Sequence, residues 1–330
     1  MSEQKKYNWG ILAPGGIAQK FADDLQFVPN ARVHAVASRS LERAEAFAQK
    51  YGAQHAFGSY EELVNCPDLD VIYIATPHSE HYANTLMCLN AGIPVLCEKA
   101  FAVNSKQLTE MVALARSKKI FLQEAIWTRF HPSIAKVMAI LAAGTIGKIV
   151  HIAADFGFMA GSDLNHRIFN PNLTGGSLMD IGIYPLFISK LLLGNPETIK
   201  AVAVKAVTGV DMNCSMALNY TSGATASLFS TVGAVTDTTC TIYGDKGKIL
   251  IHGRFHETKG ITVFEEGQEP QFIECERLGH GYSYEAEDVQ RCLAEGLTEN
   301  NKLPLSFSLE LMAILDEVRH QIGVVYPEEM

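Results

Sequence analysis

The sequence predicts an α/β half built on a doubly wound parallel sheet, followed by an α+β half built on an antiparallel sheet. Three observations carry this. At 330 residues the chain has room for two domains of roughly 150 residues each. Through residue 125, short apolar runs alternate with helical periodicity, the mark of βαβ units and a parallel sheet. Beyond residue 130 the pattern changes to period-two segments joined by short turns, the mark of antiparallel strands. The expected division is therefore 1–125 and 126–330.

Tyr7–Ala13 reads as a strand, followed by a helix with Ile17, Phe21, Leu25 and Val28 on one face. Val33–Ser38 is a second strand, and Leu41, Ala44, Ala48 and Tyr51 align on the next helix. Ser59 and Glu62 have capping-box spacing and open a short helix. Val71–Ala75 is apolar throughout, so it belongs at the centre of a sheet covered on both faces. Pro94–Cys97 and Ile120–Glu124 close the set, with Leu108, Met111, Val112 and Ala115 marking the helix between them. In the second half, Met212–Tyr220 alternates strictly, placing Met212, Cys214, Met216, Leu218 and Tyr220 on a core face. Ala224–Val232 alternates likewise after the Ser222-Gly223 turn. Ile149–Phe158, Ile199–Val207, Thr238–Tyr243 and Lys248–Ile251 are further strands, and a last amphipathic helix carries Leu311, Ile314, Leu315, Val318 and Ile322.

A hydrophobic fraction of 48% with 19% charged residues excludes a disordered chain. Lys and Arg total 27 against 36 Asp and Glu, a net charge of −9. That balance argues against a general nucleic-acid or anionic-membrane binder, so an anionic ligand has to be held by local positive charge. Seven cysteines without a C-x-x-C pair read as free thiols in a reducing, cytoplasmic setting. Met1–Lys6 is polar and leads into no apolar run, so no signal peptide is expected. Ser177–Gly194 is the most apolar stretch, but Asp180 and Lys190 interrupt it, and it reads as a buried helix.

The first strand runs into Pro14-Gly15-Gly16-Ile17-Ala18 and then a helix. Glycines there let backbone amides approach a pyrophosphate at a helix N-terminus, where the helix dipole also favours negative charge. The fingerprint is altered, because Ala13 stands where its first Gly is expected and Pro14 removes an amide. A tight strand-to-helix turn would use the same glycines; the position at the first βα turn decides for a dinucleotide. At the end of the second strand stand Ser38 and Arg39, with Arg43 one helical turn on and no Asp or Glu between Pro29 and Leu41. A hydroxyl and two guanidinium groups suit the 2′-phosphate of NADP, whereas NAD needs an acidic residue there.

Glu98-Lys99 directly after a core strand resembles the E-K-P signature of the glucose–fructose oxidoreductase and inositol dehydrogenase family, with Ala100 in place of Pro. Leu96–Lys99, Glu124–Phe130, Asp180–Tyr184, Ser283–Ala286 and the ending Glu317–Pro327 are similar to its dihydrodiol dehydrogenase branch. The resemblance spans nearly the whole chain. It implies a Rossmann domain, then a domain whose large open antiparallel sheet has helices on one face and forms a homodimer interface. It also implies NADP, no metal, and oxidation of the carbinol of a small diol or sugar-like substrate. Matched by motif, Lys99 and Tyr184 form the catalytic pair and Asp180 supports them. Ala13, Gly15, Gly16, Ile17, Thr76, Pro77, His81, Glu98 and Arg129 fall to the cofactor, and Trp127 and Phe156 to the substrate with Tyr184. A catalytically silent NADP-binding protein and a sugar or inositol dehydrogenase are the competing readings.

The chemistry fits the residues. Removing a carbinol's hydroxyl proton needs a base, and a phenol with a reference pKa of about 10 is a poor one unaided. A neighbouring ammonium stabilises phenolate. Asp180 and Tyr184, four residues apart, share one face of a helix. His78 and His81 form an H-x-x-H without a third ligand at metal-site spacing, and His252 and His256 read as surface strand-end residues. The Asn213–Asn219 and Thr225–Thr231 faces, built largely of small residues, are left uncovered and are expected to pair with a second copy.

Overall fold

The structure, a computed structural model, describes residues 5–329, so the first four residues of the polar start lie outside it. It divides into two compact units, Met1–Phe130 with Leu278–Leu309, and His131–Arg277 with Glu310–Met330.

In the first unit β1 (Tyr7–Leu12), α1 (Gly16–Leu25), β2 (Ala31–Ala37), α2 (Leu41–Tyr51), β3 (His55–Phe57) and α3 (Tyr60–Leu63) alternate. They continue with β4 (Val71–Ile74), α4 (His78–Asn90), β5 (Val95–Glu98), α5 (Ser105–Lys118) and β6 (Leu122–Ala125). The sheet is parallel throughout, in the order β3-β2-β1-β4-β5-β6. The chain order reverses at β1 and β4, which makes that pair the topological switch point. β1, β4 and β5 are wholly buried, as their apolar runs require. Phe21 of α1 stacks on Tyr73 of β4 at 3.9 Å and holds helix to sheet. The capping box at Ser59 and Glu62 forms as its spacing predicts. β3, a half-exposed edge strand, is too short to show a period in the sequence.

The second unit begins with α6 (Pro132–Ala142) and β7 (Ile149–Gly157). A single π-helical turn, Leu178–Gly182, leads into α7 (Ile183–Leu193). There follow β8 (Thr198–Lys205), β9 (Asp211–Asn219), β10 (Thr225–Thr231), β11 (Cys240–Gly244), β12 (Gly247–Ile251), β13 (Gly260–Glu265) and β14 (Gln271–Glu274). The sheet order is β14-β13-β12-β11-β7-β10-β9-β8. All its pairings are antiparallel except one: β10 lies parallel to β7, which the alternation of single strands cannot reveal. The long connection through α7 makes that parallel return possible. β13 and β14 were not expected, because buried β13 shows no alternation and β14 is a short exposed edge.

Cys214, Met216 and Leu218 of β9 face inward with Ala226 and Leu228 of β10, so the methionine-bearing face is core. Met212 alone of that row is half-exposed. On the opposite face Ser215, Ala217, Asn219, Thr225 and Ser227 are exposed, while Asn213 and Phe229 are half-buried and Thr231 is buried. The apolar stretch Pro171–Leu193 is long and apolar enough to cross a membrane by length and composition, yet 83% of its window is buried within the protein. Its two charges have partners. Lys190 meets Glu310 at 2.5 Å, and Asp180 meets Arg167 at 3.2 Å.

The chain then returns to the first unit with α8 (Ser283–Ala294) and the start of α9 (Leu305–Ile322). This corrects the expected division at residue 125, which left 278–309 in the second domain. The return is fastened by hydrogen bonds that no sequence pattern announces. Both carboxylate oxygens of buried Asp24 accept backbone amides, from His280 at 2.8 Å and Tyr282 at 2.7 Å. Asn300 donates to the Gln123 side chain of β6 at 2.7 Å, deep in the unit. All seven cysteines are free and buried.

Candidate functional site

Parallel pairing sends every βα turn of the first sheet to one edge, and nearly all the residues expected to hold a cofactor stand there. Ala13–Gly16 follow β1, Ser38 and Arg39 follow β2, Thr76 and Pro77 follow β4, Glu98 ends β5, and Arg129 follows β6. Ala13 adopts the left-handed conformation, φ +71°, that the expected glycine would take freely. Gly15 caps α1 without any side-chain hydrogen bond, and a Cβ at Gly15 or Gly16 would meet nothing within 4 Å. An uncapped helix N-terminus behind open space fits a phosphate ester. Ile17 is half-buried in the first turn of α1.

Beside it, Ser38 is buried and its hydroxyl accepts the Ser40 amide at 3.2 Å, which fixes the turn into α2. Arg39 and Arg43 are exposed and make no ion pair among the described residues. Both guanidinium groups act on Tyr60, opposing the burial that raises its phenol pKa. Two uncommitted cations over a strand end suit a second phosphate group.

Thr76 is buried, and its hydroxyl accepts from Asn84 at 3.3 Å. His81 is buried too, with Nδ1 2.8 Å from the Ala100 carbonyl and Nε2 2.9 Å from the Thr76 carbonyl. Burial pushes its pKa down to about 4 against those two carbonyls, with Lys99 adding to the fall. His81 is thus a neutral strut between two loops, with no surface to offer a cofactor. Glu98 is buried and accepts the Tyr73 hydroxyl, and its other oxygen accepts the Lys99 amide at 3.2 Å. The Lys99–Ala100 peptide is cis. Lys99 itself is half-buried. Trp127 is buried and stacks on Tyr282 at 4.4 Å, and Arg129 donates to the Lys302 carbonyl at 2.9 Å. Both contacts come from the returning segment, which sequence reasoning had placed elsewhere.

In the second unit Tyr184 stands in the first turn of α7, with 6% of its surface exposed. Its ring lies 5.6 Å from Phe156 and 5.1 Å from His256. His256 also stacks on Phe156 at 4.4 Å. The expectation of a surface histidine fails here, because His256 follows Phe255, whose ring is wholly buried and carries the turn inward. Its Nε2 lies 3.8 Å from Glu257, which Arg254 and Arg277 also hold.

Asp180 sits in the π-turn before α7 rather than on the same α-helix as Tyr184. Arg167 clasps it through both terminal nitrogens at 3.2 Å. Gly176, at φ +113°, brings the turn against Asp211, where a Cβ would come within 2.3 Å of the carboxylate. Asp211 in return accepts the Leu178 amide at 2.7 Å and the Ser177 hydroxyl at 2.6 Å. The entry to the helix bearing Tyr184 is therefore fixed by a buried charge.

Residues 7–125 match an oxidoreductase family with an NAD-binding Rossmann fold, and residues 134–250 match the GFO/IDH/MocA C-terminal domain. Trans-1,2-dihydrobenzene-1,2-diol dehydrogenase of Mus musculus is 40% identical, with 97% of this chain and 98% of that protein covered. D-xylose 1-dehydrogenase (NADP(+)) of Hypocrea jecorina is 36% identical, with 97% and 93% covered. Among solved structures, the aldose-aldose oxidoreductase of Caulobacter crescentus superposes with a TM-score of 0.88 at 23% identity, over 97% of this chain and 98% of that one. A 3-ketoreductase of Actinomadura kijaniata, in complex with NADP and TDP-benzene, gives 0.86 at 24% identity, over 96% and 98%. At these identities the structural likeness concerns the fold.

Behind Lys99 lies Glu124, wholly buried, whose carboxylate accepts the Phe101 amide at 3.2 Å. Burial pushes its pKa from 4.5 up to about 7; Glu98 adds to the rise, while Ser308, Phe101 and Lys99 oppose it. The folded chain therefore keeps a proton that the unfolded chain has released. The associated stability is full below pH 4.5 and is lost as pH rises toward 7. Wild type should lose about 2–3 kcal/mol between pH 5 and 7 relative to Glu124→Gln. Urea midpoints at the two pH values measure this, and parallel pH dependence in both proteins would exclude it.

Proposed function

Because the chain belongs to the glucose–fructose oxidoreductase and inositol dehydrogenase family, an oxidoreductase family, we propose that it is an NADP-dependent dehydrogenase of small diols or sugar-like carbinols. Whole-length similarity to a dihydrodiol dehydrogenase and to an NADP-dependent xylose dehydrogenase supports the substrate class. The observation that carries the cofactor choice is the pair Arg39 and Arg43, exposed and without ion-pair partners among the described residues.

NADP, held by the turns after β1, β2 and β4, would supply the hydride acceptor for the carbinol carbon. The protein manages the proton. Tyr184 takes it from the substrate hydroxyl as phenolate and returns it in the reverse direction. Lys99 stabilises the phenolate with its ammonium charge. Asp180, clasped by Arg167, anchors the turn that places Tyr184. The flat pair Phe156 and His256 offers an apolar wall to a planar diol or to the C–H face of a sugar.

Tyr184→Phe should keep the fold and NADPH affinity, while turnover falls by roughly 10²- to 10⁴-fold. The rise of the oxidation rate with pH should vanish in the same variant. Turnover within threefold of wild type would overturn the assignment. Arg39→Ala should weaken NADPH binding about 10- to 150-fold and leave NADH binding nearly unchanged. Equal losses for both cofactors, read by fluorescence titration, would assign Arg39 a general role instead.

The outer face of the second sheet also bears on assembly. Val202 and Val204 of β8 are 71% and 59% exposed, beside the small exposed residues of β9 and β10. A flat face of this kind, pairing with its own copy, gives a homodimer. Sedimentation at micromolar concentration should show twice the chain mass, and Val202→Glu should shift it toward the monomer; a wild-type monomer would refute the dimer.

A further inference from the structure

The sequence expects no metal, and the H-x-x-H pair cannot hold one in this conformation, since both nitrogens of His81 face carbonyls. Three other side chains of the first unit come together instead. His34 lies midway along β2, His55 opens β3, and Cys66 stands in the loop between α3 and β4. One ring nitrogen of each histidine and the Cys66 sulfur all lie within 4.8 Å of one another. No spacing rule reveals this group, because parallel pairing of β2 with β3 is what brings the two histidines together.

Two further observations point to a ligand. His34 Nε2 lies 3.2 Å from the Pro67 carbonyl. A neutral ring that donates from Nε2 carries its lone pair on Nδ1, and His34 Nδ1 is buried with no hydrogen-bond partner. Metal-binding histidines are held this way, one N–H on a backbone carbonyl and the other nitrogen presented to the ion. The burial also suits a site shielded from bulk water. His34 and Cys66 are 3% and 7% exposed, and half-exposed His55 leaves a way in from solvent.

We propose that His34, His55 and Cys66 bind one borderline-soft divalent cation of the zinc type, with water in the fourth position. Two imidazoles and a thiolate select such an ion over magnesium or calcium, which take oxygen ligands. Tetrahedral bonds of about 2.0–2.3 Å place neighbouring ligand atoms roughly 3.3–3.8 Å apart, so the group closes by about 1 Å on binding. The Cys66 thiol gives its proton to solvent as the metal–sulfur bond forms, and no oxidant or reductant is needed. His55 opens β3 and Cys66 lies in the loop that leads into β4, whereas the residues assigned to the cofactor leave the carboxyl ends. The ion would staple β2, β3 and the approach to β4 without taking part in the reaction.

The test uses the full chain, stripped with EDTA and titrated with ZnCl₂, with MgCl₂ as control. One Zn²⁺ per chain should survive desalting and raise the melting temperature by roughly 3–8 °C at a hundredfold excess over Kd. CoCl₂ should give a thiolate-to-cobalt charge-transfer band that Cys66→Ser abolishes. Cys66→Ser and His55→Gln should each weaken zinc binding at least tenfold, with NADPH binding unaltered. His55→Gln alters a half-exposed side chain, which keeps the test decisive if Cys66→Ser folds poorly. Retained zinc well below one per chain, a cobalt complex without the thiolate band, or zinc binding equal to wild type in His55→Gln would each overturn the site.

Discussion

Parallel pairing of β1 with both β2 and β4 is the constraint on which the first unit depends. It makes the carboxyl ends of β1 and β4 neighbours, and helices on opposite faces leave a crevice between their turns. Ala13 accepts a left-handed backbone to make its turn, although a side chain there costs about 1–2 kcal/mol. The His81 ring then sits between the Thr76 and Ala100 carbonyls, donating to one of them. The turns after β4 and β5 are held by the protein itself, before any ligand contributes.

Buried polar groups fix the second unit in a different way. A helix as apolar as α7 could slide along the sheet if only hydrophobic contact held it. Asp211 pins its entry through Ser177 and Leu178, Ser189 meets the Tyr220 hydroxyl at 2.6 Å, and Lys190 meets Glu310. Each polar contact has one satisfied geometry, so together they set the register of Tyr184 against the sheet. Gly182 permits the same closeness, since a Cβ there would come within 2.8 Å of the Ser230 hydroxyl.

The returning segment brings Glu285 close to Asp24 and Glu98 in the first unit. Glu285 of α8 is fully buried, and its own burial, with Glu98 and Asp24 nearby, drives its pKa well above the usual carboxylate range. Tyr73, whose hydroxyl binds Glu98, is raised as well, first by burial and then by that carboxylate. Behind the loop bearing Lys99, burial thus favours the protonated form of Glu285 and of the Tyr73 phenol.

Much was legible in the sequence because it is local. Apolar runs and helical periodicity marked all the strands of the first sheet except short edge strand β3, and the Ser59–Glu62 spacing gave its cap. The motif around Glu98-Lys99, and the run from Asp180 to Tyr184, supplied by type and order the residues of the proposed site. What the sequence could not show depends on neighbours far along the chain. The parallel contact of β10 with β7, the return of 278–309, the burial of His256 beside Tyr184 and the clasp of Asp180 by Arg167 all join segments with no shared period. Local pattern records which face of an element avoids water. Only the packed chain decides which other element covers that face, because burial energy is nondirectional and the choice falls to shape, hydrogen bonds and charge.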